Sequence, residues 1–243
     1  TINIPVAIAK GSSPADKMVD INANPLLYGD YLVFASYQGA IVALDKDNGK
    51  MLWAKKSSIV NNISINDNVI FTTQDDSTLK AFDIENGDTV WTNDTLQWRK
   101  ITAPVYYKGL IIVADFQGYL HFFNSLNGDY LGRHKLTAKS KIFDRGISAE
   151  LVPTEKGIIV QAENGKTYLV DAYSDKVIYD TILSDYKVNR GSEISHISAT
   201  DKYKDKVRKI STPDTKLNGK GLNVNVIIGD FSQKSKNKTI KTS

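Results

Sequence analysis

Between Pro25 and Tyr179 one unit recurs four times: a short apolar run, a turn, a second apolar run ending in Asp or Asn, and a second turn. The reference residues Asp45, Asp83, Asn124 and Asp171 lie 38, 41 and 47 positions apart. Four residues beyond them stand Gly49, Gly87, Gly128 and Asp175, and eight beyond stand Trp53, Trp91, Gly132 and Tyr179. The pattern Ala-[Leu/Phe]-Asp, three residues, Gly, three residues, Trp is therefore complete in two copies and eroded in two. Few folds accept a unit of this length that is all short runs and turns.

Each unit reads as four short strands. In the first, Leu26-Leu27, Tyr31–Ala35, Ile41–Asp45 and Met51–Trp53 are separated by Gly29-Asp30, Gln38-Gly39 and Asn48-Gly49. Runs rich in Val, Ile and aromatics between such turn residues signal β-strands, and Asn-Gly suits a tight hairpin because both residues accept positive φ. The third unit runs from Pro104 through the turn Asp115–Gly118 to Tyr130-Leu131, and the fourth ends at Val177-Ile178-Tyr179. Four-stranded units repeating every ~40–50 residues mark a β-propeller. The expected fold is all-β, with about four antiparallel blades. The repeated residues have mechanical roles in this reading. Asp45 and Asp83 accept hydrogen bonds from backbone N–H groups of the next turn. Gly49, Gly87 and Gly118 serve turns, and Trp53 and Trp91, on outer strands, pack against the following blade.

The rest of the chain divides around these units. The opening Ile2–Ile8 reads as the last strand of a preceding blade, which suggests a piece of something longer. Lys10–Asn24 is too long for a tight turn and belongs on a propeller face, where binding residues gather; Thr137–Ser148 is a second long connection. Past Ile182 the repeat stops. Two parts follow: residues 1–183 as blades, and 184–243 as a basic, partly disordered extension. The extension holds 13 Lys/Arg against 6 Asp/Glu, and the remainder 18 against 21, so the net +4 conceals an acidic body and a basic tail. Within the tail only Leu222–Ile228 alternates as a strand would.

Little here suggests chemistry. With no cysteine there is no disulfide, thiol catalysis or thiolate metal site. His121, His134 and His196 lack metal-ligand spacing; His121 alternates with Leu120 and Phe122 and reads as a structural histidine. No phosphate loop, HExxH or GxSxG motif occurs, and Asp75-Asp76 reads as a solvated loop. The expectation is no catalytic residue, no metal and no cofactor. The tail's only aromatics are Tyr186, Tyr203 and Phe231, too few for a nucleic-acid stacking platform. No apolar run approaches a membrane-spanning length, and no signal peptide opens the chain.

The repeat resembles the quinoprotein-type propellers. Within them, Asp115-Phe116-Gln117-Gly118-Tyr119-Leu120-His121, preceded by Leu96-Gln97-Trp98-Arg99-Lys100-Ile101-Thr102-Ala103-Pro104-Val105, resembles the BamB family of propeller lipoproteins in the bacterial outer-membrane β-barrel assembly (BAM) machinery. Gly11-Ser12-Ser13 and Asp16–Pro25 resemble the connection before that family's later blades. The resemblance, from about Ile8 to Tyr168, implies the second half of an eight-bladed propeller, with the earlier blades and the N-terminal lipid anchor absent from this chain. It implies a non-enzymatic scaffold at the periplasmic side of the outer membrane of a Gram-negative bacterium. Its partners would be the POTRA domains of BamA, other BAM subunits and unfolded outer-membrane proteins. Family contact residues for BamA carry over to Asp20; Asn22 stands where a second acid is usual, and Lys17 where Arg is frequent, which keeps the charge without the bidentate fork.

The alternative from another class is a quinone (PQQ)-dependent dehydrogenase, which shares the blade pattern. Such an enzyme needs a cation beside the quinone, and hard cations want several converging oxygen ligands. No compact Asp/Glu/Asn set stands out. A half ring would also expose two apolar blade faces, and stacking surfaces of that kind stabilise repeat proteins; the expected consequence is face-to-face dimerisation or poor solubility.

Overall fold

A computed structural model describes residues 23–136, 146–174, 177 and 222–229. The opening strand Ile2–Ile8, nearly all of the Lys10–Asn24 loop, and the tail apart from Leu222–Gly229 lie outside these residues.

The described chain forms four four-stranded antiparallel sheets. The first is β1 (Leu26–Tyr28), β2 (Tyr31–Ala35), β3 (Gly39–Asp45) and β4 (Met51–Ser57). The second is β5 (Ser64–Asn66), β6 (Val69–Thr73), β7 (Leu79–Asp83) and β8 (Thr89–Asn93). The third is β9 (Val105–Tyr107), β10 (Leu110–Ala114), β11 (Tyr119–Asn124) and β12 (Tyr130–Lys135). The fourth is β13 (Val152–Thr154), β14 (Gly157–Gln161), β15 (Thr167–Ser174) and β16 (Leu222–Gly229). Within each sheet strands pair in chain order, which is the blade arrangement of a β-propeller.

Three apolar clusters join successive blades. Val33, Ile41, Ala43 and Trp53 of the first blade meet Ile70, Phe82 and Ile84 of the second. Phe71, Leu79 and Trp91 of the second meet Ile111, Val113 and Phe123 of the third. Leu110, Ile112, Leu120 and Phe122 of the third meet Ile158, Val160, Tyr168 and Val170 of the fourth. Period-two alternation explains how one strand serves two seams: β10 sends Leu110, Ile112 and Ala114 one way and Ile111 and Val113 the other. All five residues are buried, which is why the run is uniformly apolar.

The Asp–Gly–Trp pattern is an inter-blade key. The Asp45 carboxylate accepts from the N–H groups of Asp47 and Asn48, and Gly49 N–H donates to the Asp45 carbonyl. Asp83, with Glu85, Asn86 and Gly87, repeats this. Pairing then slips by one residue between Ala43 and Leu44, and between Ala81 and Phe82. These bulges set Trp53 and Trp91 opposite the small Ala43 and Ala81. The Trp53 indole donates to the Ile84 carbonyl at 2.6 Å, and its ring lies where a Cβ on Gly87 would be, 2.6 Å from such an atom. Trp91 does the same to Ser125 (2.9 Å) and Gly128. Each Trp thus sits on the Asp–Gly turn of the next blade, and Gly87 and Gly128, at φ of 71° and 74°, leave room for it.

The eroded copies follow this logic. Blade 3 has Gly132 in place of Trp, and the next turn has Asp175 in place of Gly; Leu222 lies against Gly132 instead. Asp171 lies within a strand. β15 runs through it to Ser174, and its carboxylate accepts from Tyr107 Oη (2.9 Å) and Lys108 Nζ (2.7 Å) of blade 3. The outer strand of blade 4 is therefore not Val177-Ile178-Tyr179. Val177 is buried in the last cluster, and Ile178 and Tyr179 lie outside the described residues. The place is taken by β16, in eight unbroken pairs from Ser174↔Leu222 to Thr167↔Gly229. The sequence has Asp175 where the other copies have glycine, and the alternating stretch in the tail supplies the strand. The last sheet so draws on both sides of the 183/184 boundary.

Candidate interaction face

The turns between second and third strands and the connections between blades share one end of the sheets. There the first residues of the blades converge: Asn24 N–H donates to Asn62 Oδ1 (2.8 Å), Asn62 Nδ2 to Glu150 Oε1 (2.8 Å), and Asn61 Nδ2 to the Ile101 carbonyl (3.1 Å). These bonds tie all four blades together.

Outward from this point the loops form a relay. Gln38 N–H donates to Ser58 Oγ (2.9 Å), which donates to Asp75 Oδ2 (2.9 Å), and Asp75 N–H donates to the Ser58 carbonyl. Asp76 continues it: its carboxylate accepts from Thr78 N–H and Gln97 Nε2, and its carbonyl accepts from Trp98 N–H at 2.7 Å. Burial alone would raise the Asp76 pKa; these hydrogen bonds, with Lys80 nearby, hold it below the ordinary value. Asp75-Asp76 is thus only partly a solvated loop, since Asp76 pins the next connection.

At blade 3 the two halves of the most specific sequence motif meet. Arg99 donates through Nε (3.0 Å) and Nη2 to Asp115 Oδ2, and through Nη2 to Gln117 Oε1 (2.8 Å). Asp115 Oδ1 accepts from the N–H groups of Gln117 and Tyr119. His121 Nε2 lies 2.9 Å from Asp115 Oδ2 and its Nδ1 3.1 Å from Tyr130 Oη. Asp115 and His121 are fully buried. Burial would raise the Asp115 pKa, but hydrogen bonds from His121, the Tyr119 backbone and Arg99 hold it at about 2. Burial pushes His121 below its ordinary value; Asp115 opposes this and the Arg99 and Arg133 charges add to it. A buried charge is tolerable only when paired and hydrogen-bonded in this way. His121 is a structural member of a satisfied network. Arg99 could not be read as its neighbour from periodicity, because Arg99 lies in the connection from blade 2 and His121 in strand β11.

Gly118 closes its turn with a bond from its N–H to the Asp115 carbonyl at 3.0 Å and a φ of 81°. Lys17, Asp20 and Asn22 lie outside the described residues, as does His196. Half-buried His134 is likewise lowered by burial. Among the described residues no group of three or more His, Cys, Asp or Glu side chains is placed to hold a metal ion, and no helix is long and apolar enough to cross a membrane.

The family model described as outer membrane protein assembly factor BamB matches residues 20–187, well over half of the sequence. The chain belongs to the BamB family. The BamB of Francisella tularensis subsp. tularensis (strain SCHU S4) is 68% identical over 240 residues, covering 96% of this chain and 52% of that one. The BamB of Escherichia coli (strain K12) is 28% identical over 165 residues, covering 68% and 41%. The crystal structure of BamB from Moraxella catarrhalis superposes with a TM-score of 0.59 at 24% identity, over 66% of this chain and 46% of that chain, and shows the shared propeller fold. The chain spans about half or less of the length of the curated BamB relatives it matches, from 52% down to 38%.

Proposed function

We propose that the chain is a non-enzymatic scaffold of outer-membrane protein assembly, working at the periplasmic side of the outer membrane of a Gram-negative bacterium. The observation that carries this is the 68% identity, across 96% of the chain, to a protein named outer membrane protein assembly factor BamB. The geometry agrees with a docking role. Loops fixed to one another across three blade seams present a surface that loses little conformational freedom on binding, which favours affinity. The partners are the POTRA domains of BamA and other BAM subunits, with unfolded outer-membrane proteins as clients. Lys17, Asp20 and Asn22 belong to the docking surface, and no cofactor takes part.

The test is calorimetric titration of purified BamA POTRA domains into the protein and its Asp20→Arg variant. Binding weakened tenfold or more, about 1.4 kcal/mol, supports the reading. A folded protein that does not bind, or a variant that binds as well as wild type, counts against it.

A further inference from the structure

Trp98 is 73% exposed, whereas Trp53 and Trp91 are 8% and 7% exposed. Its backbone is left-handed, with φ at 63°, and Lys100 follows at 49°. A bulky residue in that region is uncommon, and such strain concentrates at functional sites. The loop that holds it is not loose. Leu96 is buried in the seam between blades 2 and 3. Gln97 N–H donates to the Asp94 carbonyl and Arg99 N–H to the Leu96 carbonyl. Asp76 grips the loop at Gln97 and Trp98 from blade 2, and Asp115 and Gln117 grip Arg99 from blade 3. Two motifs far apart in the chain thus cooperate to hold an indole out in water. Phe116, 48% exposed, lies between Asp115 and Gln117, the two residues that hold Arg99.

We propose that Trp98 is a preorganised anchor for a folded partner protein that offers an apolar pocket rimmed by lysine or arginine. Exposed Trp on a rigid support is the residue type that dominates binding hot spots, and its ring face attracts cations. The charge around it sets the sign of the partner. Asp76 and Asp94 bond to the loop and Asp75 adjoins Asp76; Arg99 is paired with Asp115, and against these three carboxylates stand, among the described residues, Lys100 in the loop and Lys80 beside Asp76. The connection that carries Trp98 follows an outer strand, as does the Lys10–Asn24 connection in the sequence reading, so Trp98 enlarges the docking surface by a site two blades away. The proposal rests on the scaffold reading.

The experiment titrates the purified BamA POTRA domains into wild type, Asp20→Arg, Trp98→Gly and Trp98→Phe. Acrylamide quenching of the tryptophan fluorescence is followed in parallel, and with the other two indoles buried it reports Trp98. The expected result is protection of Trp98 from quencher on binding, a tenfold or greater loss of affinity for Trp98→Gly, and a smaller loss for Trp98→Phe. Glycine accepts the left-handed backbone, so Trp98→Gly should unfold at the same temperature as wild type or higher while binding worse. A merely structural tryptophan would not produce that combination. If wild type binds, Asp20→Arg weakens binding and Trp98→Gly does not, the Trp98 proposal is overturned and the scaffold reading stands. If folded wild type does not bind at all, both fall.

Discussion

Gly87 shows how much one atom can matter here. A methyl group at this position would stand 2.6 Å from the Trp53 ring, on a backbone at φ 71°. Overpacking and the left-handed conformation together should make Gly87→Ala cost about 2–4 kcal/mol, measured as a lower urea midpoint. Trp53→Phe keeps most of the apolar contact but leaves the buried Ile84 carbonyl without its donor, at about 1–3 kcal/mol. In the double variant Trp53→Ala/Gly87→Ala the clash is gone, so the two costs should fall short of additive. Asp115 and His121 make an acid-sensitive pair. Asp115 is held near 2, below its ordinary 3.8, so it contributes stability above 3.8 that is lost as pH falls toward 2, about 2 kcal/mol in all. His121 is also depressed, so the unfolded chain takes up its proton first and stability begins to fall below 6.5. His121→Gln should flatten the part of the pH–stability curve just below 6.5, as followed by urea melts at fixed pH. The period of the repeat makes Asp45, Gly87 and Trp53 legible from sequence, because their partners lie in one repeated unit or the next. It is silent on Arg99, Asp115 and His121, whose meeting depends on how the connection into blade 3 folds back onto that blade's β10–β11 turn.

At the scale of elements the informative strand is β16. Leu222 and Val224 are buried against blade 3 in the last cluster, so Val224→Asp should place an unpaired charge there and loosen blade 4. Hydrogen exchange should then accelerate along β15, whose residues pair with β16 from end to end, while β6 and β7 keep their protection. Uniform acceleration across all four blades would instead mean that the propeller opens as one unit. The alternation of Leu222–Ile228 was visible in the sequence, but its pairing was not. A hairpin announces itself through turn residues between neighbouring strands, whereas a strand that follows after 47 intervening residues leaves no such mark.

For the whole molecule, the order of blades and the seams between them follow from the repeat, and the fold seen in the family agrees with it. The last sheet nevertheless presents an apolar row on the side turned away from blade 3. Val152, Ile159, Leu169 and Ile227 pair across four strands, and Val152, Ile159 and Ile227 are exposed. Exposed contiguous apolar surface favours association, so sedimentation velocity at rising concentration should show a dimer, and Ile227→Lys should return the monomer. The keys described above also carry a timing. During synthesis Trp53 emerges 34 residues before Gly87, and Trp91 37 residues before Gly128. No blade can seat its tryptophan until the next one has begun to form. The period written in the sequence and the period in which the chain can fold are therefore out of step by one blade, and an interrupted chain always carries one unfinished seam at its growing end.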